Sequence, residues 1–472
     1  MRKCVLLLLL FSFHARAQFI NIVIDDGSTA TFMFPSEPTI AVNPKNPDQL
    51  VAGANIARVY HSWDGGITWT YDTLYSSLGV YGDPCVVVDT FGNFFYTHLS
   101  ASGTQVICQQ SDDGGDTWSN GTLPAFIPGV WADKEWACVD WSNSVWRNSI
   151  YLTWTELADS LRILFSKSID TGQTWSNPVY ISKGTMNLNP WPDGNIGAVP
   201  AVGPNGEVYA AWSAHSIRFN KSTDAGATWL PEPLYVDTII PGWRYDSING
   251  VSREQAFPAM ACDISGGIYN GNIYICWADQ RNGTSNTDVF MSTSTDGGNT
   301  WNTMRVNTDL TTSHQFMPWL CVDQSTGFIY VVYYDRSNYA DQTTDVYLSW
   351  STNGGASFNS AKITAMPFFP PDMHGDYIGV AAFNNIIHPV WAQEDNIAHS
   401  IWSAYIDYAQ LDSIATVPVL ASSGYILKQN YPNPFSGKTF TDYFIPKPGP
   451  VNLSIYDVVG NSVTTLLDDK TS

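Results

Sequence analysis

The eight residues Ser294-Thr295-Asp296-Gly297-Gly298-Asn299-Thr300-Trp301 constrain this chain most, because their pattern, S-x-D-x-G-x-T-W, returns along it. Clean copies run from Ser62 to Trp69, Ser111 to Trp118, Ser168 to Trp175 and Ser222 to Trp229. A worn copy from Ser351 to Phe358 has Asn for Asp, Ser for Thr and Phe for Trp. Short Ser and Asp side chains can bond nearby backbone N–H groups and hold a turn closed. Gly supplies the positive φ of a tight hairpin, and the Trp has an apolar body to pin the turn onto a strand. Each copy follows an alternating or β-branched run such as Asp288-Val289-Phe290-Met291-Ser292, so each should join two antiparallel strands. So many copies in one chain mean a repeat architecture.

The pattern resembles the Asp-box, or BNR repeat, of sialidase-like β-propellers across residues 38–406. The resemblance implies an all-β propeller in which the box is a structural turn remote from the site. Seven units are counted. The last, from Asp376, lacks a box, while Asn21–Phe34 contains a spare strand. That strand is expected to complete the last blade and close the ring, removing two sheet edges. Six blades is the alternative if the first or last unit is incomplete.

Arg2 and Lys3, the apolar run Val5–Phe13 and Ala15-Arg16-Ala17 read as a signal peptide over residues 1–17, ahead of a propeller spanning 18–410. The apolar run is too short to span a bilayer, so no transmembrane segment is expected. A linker, 411–423, then leads to a β-sandwich fragment, 424–472. Its Gln429-Asn430-Tyr431-Pro432-Asn433-Pro434-Phe435, followed by Ile455-Tyr456-Asp457 and Gly460, is similar to the first half of the C-terminal sorting domain of type IX secretion substrates. Secretion to the cell surface or medium through that machinery is the implied route.

A net charge of −21 argues against nucleic acid and anionic membranes as partners. It suits a glycan or glycoprotein partner for a monomeric chain. Cys85, Cys138, Cys262 and Cys321 read as one repeat position on the inner strands, where small buried hydrophobes are expected rather than disulfides; a bond from Cys108 or Cys276 to one of them is the alternative. No zinc spacing occurs. Calcium, in the acidic loops Asp279–Asp288 and Asp335–Asp345, is the one cofactor considered, against ordinary solvated loops.

In a four-stranded meander the crossings between blades and the second-to-third loops share the face opposite the boxes, and sites favour such loops. Glycoside hydrolysis needs two carboxylates, or a Tyr nucleophile with an acid, across the scissile bond. Sialidases add three arginines that clamp a substrate carboxylate. Carried onto this rim, the resemblance assigns the clamp to Arg253, Arg281 and Arg336, with Arg244 in reserve. Tyr339 or Tyr81, with Glu254, would form the nucleophile pair, and Asp83 or Asp133 would be the acid. The competing reading makes Asp279–Arg281 and Asp335–Arg336 loop braces, since "ADQR" and "YDRS" stand at matching positions. The Arg-Ile-Pro segment of sialidases has no counterpart, as Phe34-Pro35 carries no Arg. An exo-α-sialidase-like hydrolase and a non-catalytic propeller binding glycan or protein are the two functional expectations.

Overall fold

The computed structural model describes residues 19–28, 35–127, 129–186, 194–242, 244–245, 248–251, 254–369, 375–395, 398–415, 426–427, 443–444, 451–456 and 462–469. Phe19–Asp412 form one compact unit. In it, seven antiparallel sheets of four strands surround a central channel, blade III carrying one added two-residue strand. The innermost strands of blades I to VII are Thr39–Val42, Gly82–Val88, Trp131–Val139, Ile196–Val202, Ala259–Cys262, Gln315–Asp323 and Gly379–Phe383.

Blade VII answers the blade count. Its inner strands come from the end of the propeller and its outermost strand, Ile20–Asp25, pairs antiparallel with Ala398–Asp407. The spare strand therefore closes the ring, leaving no incomplete blade. Asp25 anchors the closure: Tyr60 of blade I donates to it at 2.7 Å, and the Arg58 guanidinium lies 3.4 Å away.

The repeated turn is built as its residue types require. In the copy at Ser294, the Ser hydroxyl donates to Asp296 and accepts the Gly298 N–H, both at 2.8 Å. Asp296 also accepts the N–H and hydroxyl of Thr300 at 2.9 and 2.7 Å. The same bonds recur at Asp64, Asp113, Asp170 and Asp224. These donors hold the Asp224 and Asp296 carboxyls down at about 2. The Trp of a turn reaches the preceding blade: Trp229 meets Phe165 edge-on at 4.9 Å, and Trp301 meets Phe219 at 5.1 Å. Gly298 adopts φ +82°, and a Cβ there would stand 2.3 Å from the Phe219 ring, so this glycine answers both conformation and space. Each turn is thus also the clip between neighbouring blades.

Cysteine placement differs from the expectation in one respect. Cys138 and Cys321 each stand two residues before the Asp at the strand end, whereas Cys85 stands four before Asp89 and Cys262 one before Asp263, so only the first two share a register. All six described cysteines carry free thiols.

Met1–Gln18 and Ser413–Ser472 make a second unit. There, Ile426–Leu427 pair with Tyr443–Phe444, and Val451–Tyr456 pair with Ser462–Asp469. Residues 1–17, expected to be a signal peptide, and the Gln429–Phe435 segment lie outside the described residues. No described helix is long and apolar enough to cross a membrane.

Candidate functional site at the channel mouth

A repeated backbone device shapes the face opposite the turns. The inner strands of blades II, III, IV and VI shift register between Gly82 and Cys85, Asp133 and Trp136, Ile196 and Val199, and Phe316 and Trp319. At each shift one residue is left-handed: Asp83 (φ 54°), Lys134 (49°), Gly197 (71°) and Met317 (52°). Glu37 (53°) holds the corresponding place before the inner strand of blade I. Bulges bend a strand and re-aim a side chain, and left-handed non-glycine residues cost about 1–3 kcal/mol each. The sheets thus turn side chains toward the axis at one end of the channel.

Three rings close the channel there. Trp136 lies 4.4 Å from Trp319 and 5.0 Å from Tyr377, centroid to centroid. The Lys134 ammonium sits over them, 3.7 Å from the Tyr377 ring, 4.2 Å from Trp136 and 5.3 Å from Trp319. It is buried and has no hydrogen-bond acceptor, so the ring faces are what meets the charge. Carboxylates surround this cage. Glu37 accepts from Asn55 at 2.7 Å and from the Asp376 N–H at 2.9 Å. Asp83 accepts the Lys134 N–H at 3.2 Å, and Gln255 donates to Asp376 at 2.6 Å. Burial, with Asp83 and Asp376 adding to it, pushes the Glu37 carboxyl well above the usual range. Burial pushes the Lys134 ammonium down, opposed by Asp83, Glu37 and Asp376.

Glu135 is wholly buried and neither of its carboxyl oxygens has a hydrogen-bond partner; burial and then Asp83 push it well up. Glu254 is also buried. Its Oε1 accepts the Met317 N–H at 2.9 Å while Oε2 has no partner, and burial pushes the carboxyl up to about 8. Burial thus favours the protonated form of both Glu135 and Glu254, and Asp83 and Asp376 beside them are part-exposed.

The rim residues expected from sequence fall into three groups. Asp83, Glu254 and Arg336 come to the mouth, where the field of Arg336 acts on Glu254. Tyr81 and Trp131 flank it as exposed rings, Asp133 being part-exposed beside Trp131. Other members are engaged with neighbours. Arg281 donates from Nε to both Asp279 oxygens at 2.9 and 3.0 Å, from Nη2 at 2.6 Å, and from Nη1 to Asp237 at 3.0 Å. Tyr339 donates its phenol to Asp345 at 2.9 Å. Arg336 donates to Thr344 at 3.0 Å and to the Asn249 carbonyl at 2.7 Å, and its Nη2 has no hydrogen-bond acceptor. Burial lowers this guanidinium to about 10. Arg253 lies outside the described residues, and only the backbone of Arg244 is described, paired with Gln255.

In the acidic loops, Asp279 and Asp288 are held by Arg281 and Arg305, and Asp335 and Asp345 by Ser337 and Thr364. Among the described residues no group of three or more His, Cys, Asp or Glu side chains could hold a metal ion. Sequence reasoning missed Glu37 and Tyr377. The available signal was Glu37-Pro38, Asp83-Pro84 and Met317-Pro318, a residue–proline pair just before or within the first residues of three inner strands.

Residues 156–370 match the BNR repeat-like domain family. The chain is a seven-bladed β-propeller, and this part of it is similar to the BNR repeat-like family. No curated protein matches the chain. Among solved structures, an ulvan lyase of a polysaccharide lyase family is similar at TM-score 0.51 and 12% identity, over 82% of this chain and 96% of that one. A Hadza microbial sialidase is similar at TM-score 0.44 and 14% identity, over 77% and 75%. The Penicillium chrysogenum α-L-arabinanase is similar at TM-score 0.45 and 12% identity, over 82% and 98%. At such identities the likeness is one of fold.

Proposed function

We propose that this propeller is glycan-acting, works at the channel mouth, and releases terminal sialic acid from extracellular glycans. The observation that carries the reading is one loop of blade VI, which holds Tyr339 hydrogen-bonded to the Asp345 carboxylate and, beside it, Arg336 with an N–H lacking an acceptor. A phenol with a carboxylate attached is a nucleophile with its base, and a guanidinium with a spare N–H is a receiver for a carboxylate. Across the mouth, half-exposed Asp83 supplies an acid–base group, and Tyr81 and Trp131 offer ring faces for sugars. Protonated Glu254 keeps a hydrogen-bond donor near Arg336. Export by the leader and the type IX route belongs to the same proposal.

The test is release of fluorophore from a sialic acid conjugate by the full chain. Turnover that is lost in Tyr339→Phe, with glycan binding kept, supports the assignment. A chain without turnover on any sialoside overturns it. The second reading, glycan or protein binding without catalysis, is favoured by the engagement of Arg281 with Asp279 and Asp237. It expects binding on a glycan array and no turnover.

A further inference from the structure

Below the Lys134 cage the channel changes character. The space there measures about 260 Å³, and none of its lining side chains is charged. Trp136 and Trp319 form its roof; Trp141, Ile264 and Gln324 stand at the far end, on the face of the Ser-x-Asp turns. Its walls include Met260 and the strand segments that carry Cys138, Cys262 and Cys321.

Three physical points narrow what fits. A charged molecule would lose its hydration with no counter-ion among these walls. Indole faces and sulfur favour aromatic rings. The innermost strands pair on one side only, so their inner edges offer backbone donors and acceptors to one or two polar atoms of a guest. For size, a cavity of about 150 Å³ holds benzene; by proportion, this one takes roughly ten non-hydrogen atoms.

We propose that the channel below the Lys134 cage is a second binding site, separate from the glycan mouth, for an uncharged bicyclic aromatic molecule bearing one hydroxyl or ring nitrogen. Such a guest would enter from the face of the turns, since the three rings and Lys134 close the mouth end. Burial pushes the Cys138 and Cys321 thiols well up, so both stay neutral and add no charge to the walls.

The probe is 2-naphthol, titrated into the full chain by calorimetry and followed by tryptophan emission. Saturable binding is expected, with tryptophan emission and heat reaching a plateau at the same stoichiometry. Ala261→Leu and Ala382→Leu narrow the space, and each should weaken binding about tenfold while melting near the wild type. Asp83→Asn, at the mouth, should leave it unchanged. Absence of saturable binding by the folded chain overturns the proposal and leaves a water-filled shaft. Binding that survives both narrowing variants, or that weakens in Asp83→Asn, also overturns it. None of these outcomes depends on whether the mouth turns over a glycan.

Discussion

Truncating Arg281 to Ala separates a loop brace from a substrate clamp. In the folded chain Asp279 is fully buried and takes three guanidinium bonds, while the same guanidinium spans to Asp237. After truncation Asp279 keeps the Trp277 indole N–H at 3.0 Å and the backbone N–H of residue 281 at 3.1 Å. Removing one partner of a buried pair costs about 3–5 kcal/mol. Two donors survive and the Arg281 side chain is 24% exposed, so the low end applies, about 3 kcal/mol. The unit Phe19–Asp412 has about 390 residues; at about 2.1 cal/mol/K of unfolding entropy per residue, the expected fall in Tm is about 4 °C. Thermal melts followed by circular dichroism read this, and sialoside binding is measured on the same samples. A melt unchanged from wild type, together with lost sialoside binding, would refute the brace and restore the clamp.

Four further outcomes are expected. Glu254 and Asp335 have folded values of about 8 and about 7 against ordinary values of 4.5 and 3.8. The folded state therefore holds their protons more tightly, and stability should fall as pH rises from about 4.5 to about 8; Glu254→Gln should flatten that slope, and a parallel slope would count against the burial argument. Gly298→Ala meets the Phe219 ring at 2.3 Å in a left-handed backbone, whereas Gly297→Ala meets nothing within 4 Å. Losses of about 3 and about 1 kcal/mol in denaturant melts follow, and equal losses would show that blade contact plays no part. Asp25→Ala removes the acceptor of the Tyr60 hydroxyl and one ion pair of Arg58, which keeps the Asn55 carbonyl, and should lower stability by about 3 kcal/mol, with faster proteolysis of the strand Ile20–Asp25. Lys134→Met should open blade contacts at the mouth, read as increased hydrogen exchange around Tyr377; unchanged exchange would mean that the ring contacts alone hold the cage.

The turn from Ser294 to Trp301 was legible because its bonds close within eight residues. An Asp that bonds Ser and Thr neighbours needs no partner from elsewhere in the chain. Repetition then supplied the blades, and an unmatched strand at one end with an unfinished blade at the other supplied the closure. The sequence alone determined the wheel and the face on which its loops gather.

What the tertiary structure decided is which of those loop residues remain available. Arg281 and Tyr339 looked alike as candidates, yet Arg281 is taken up by two carboxylates while the Tyr339 phenol donates to Asp345. The cage at the mouth joins Lys134, Trp136, Trp319 and Tyr377, from three blades that meet only when the ring is closed. No spacing along the chain encodes that meeting. Contacts between blades depend on the curvature of the whole ring, whereas contacts within a turn depend only on its own few residues.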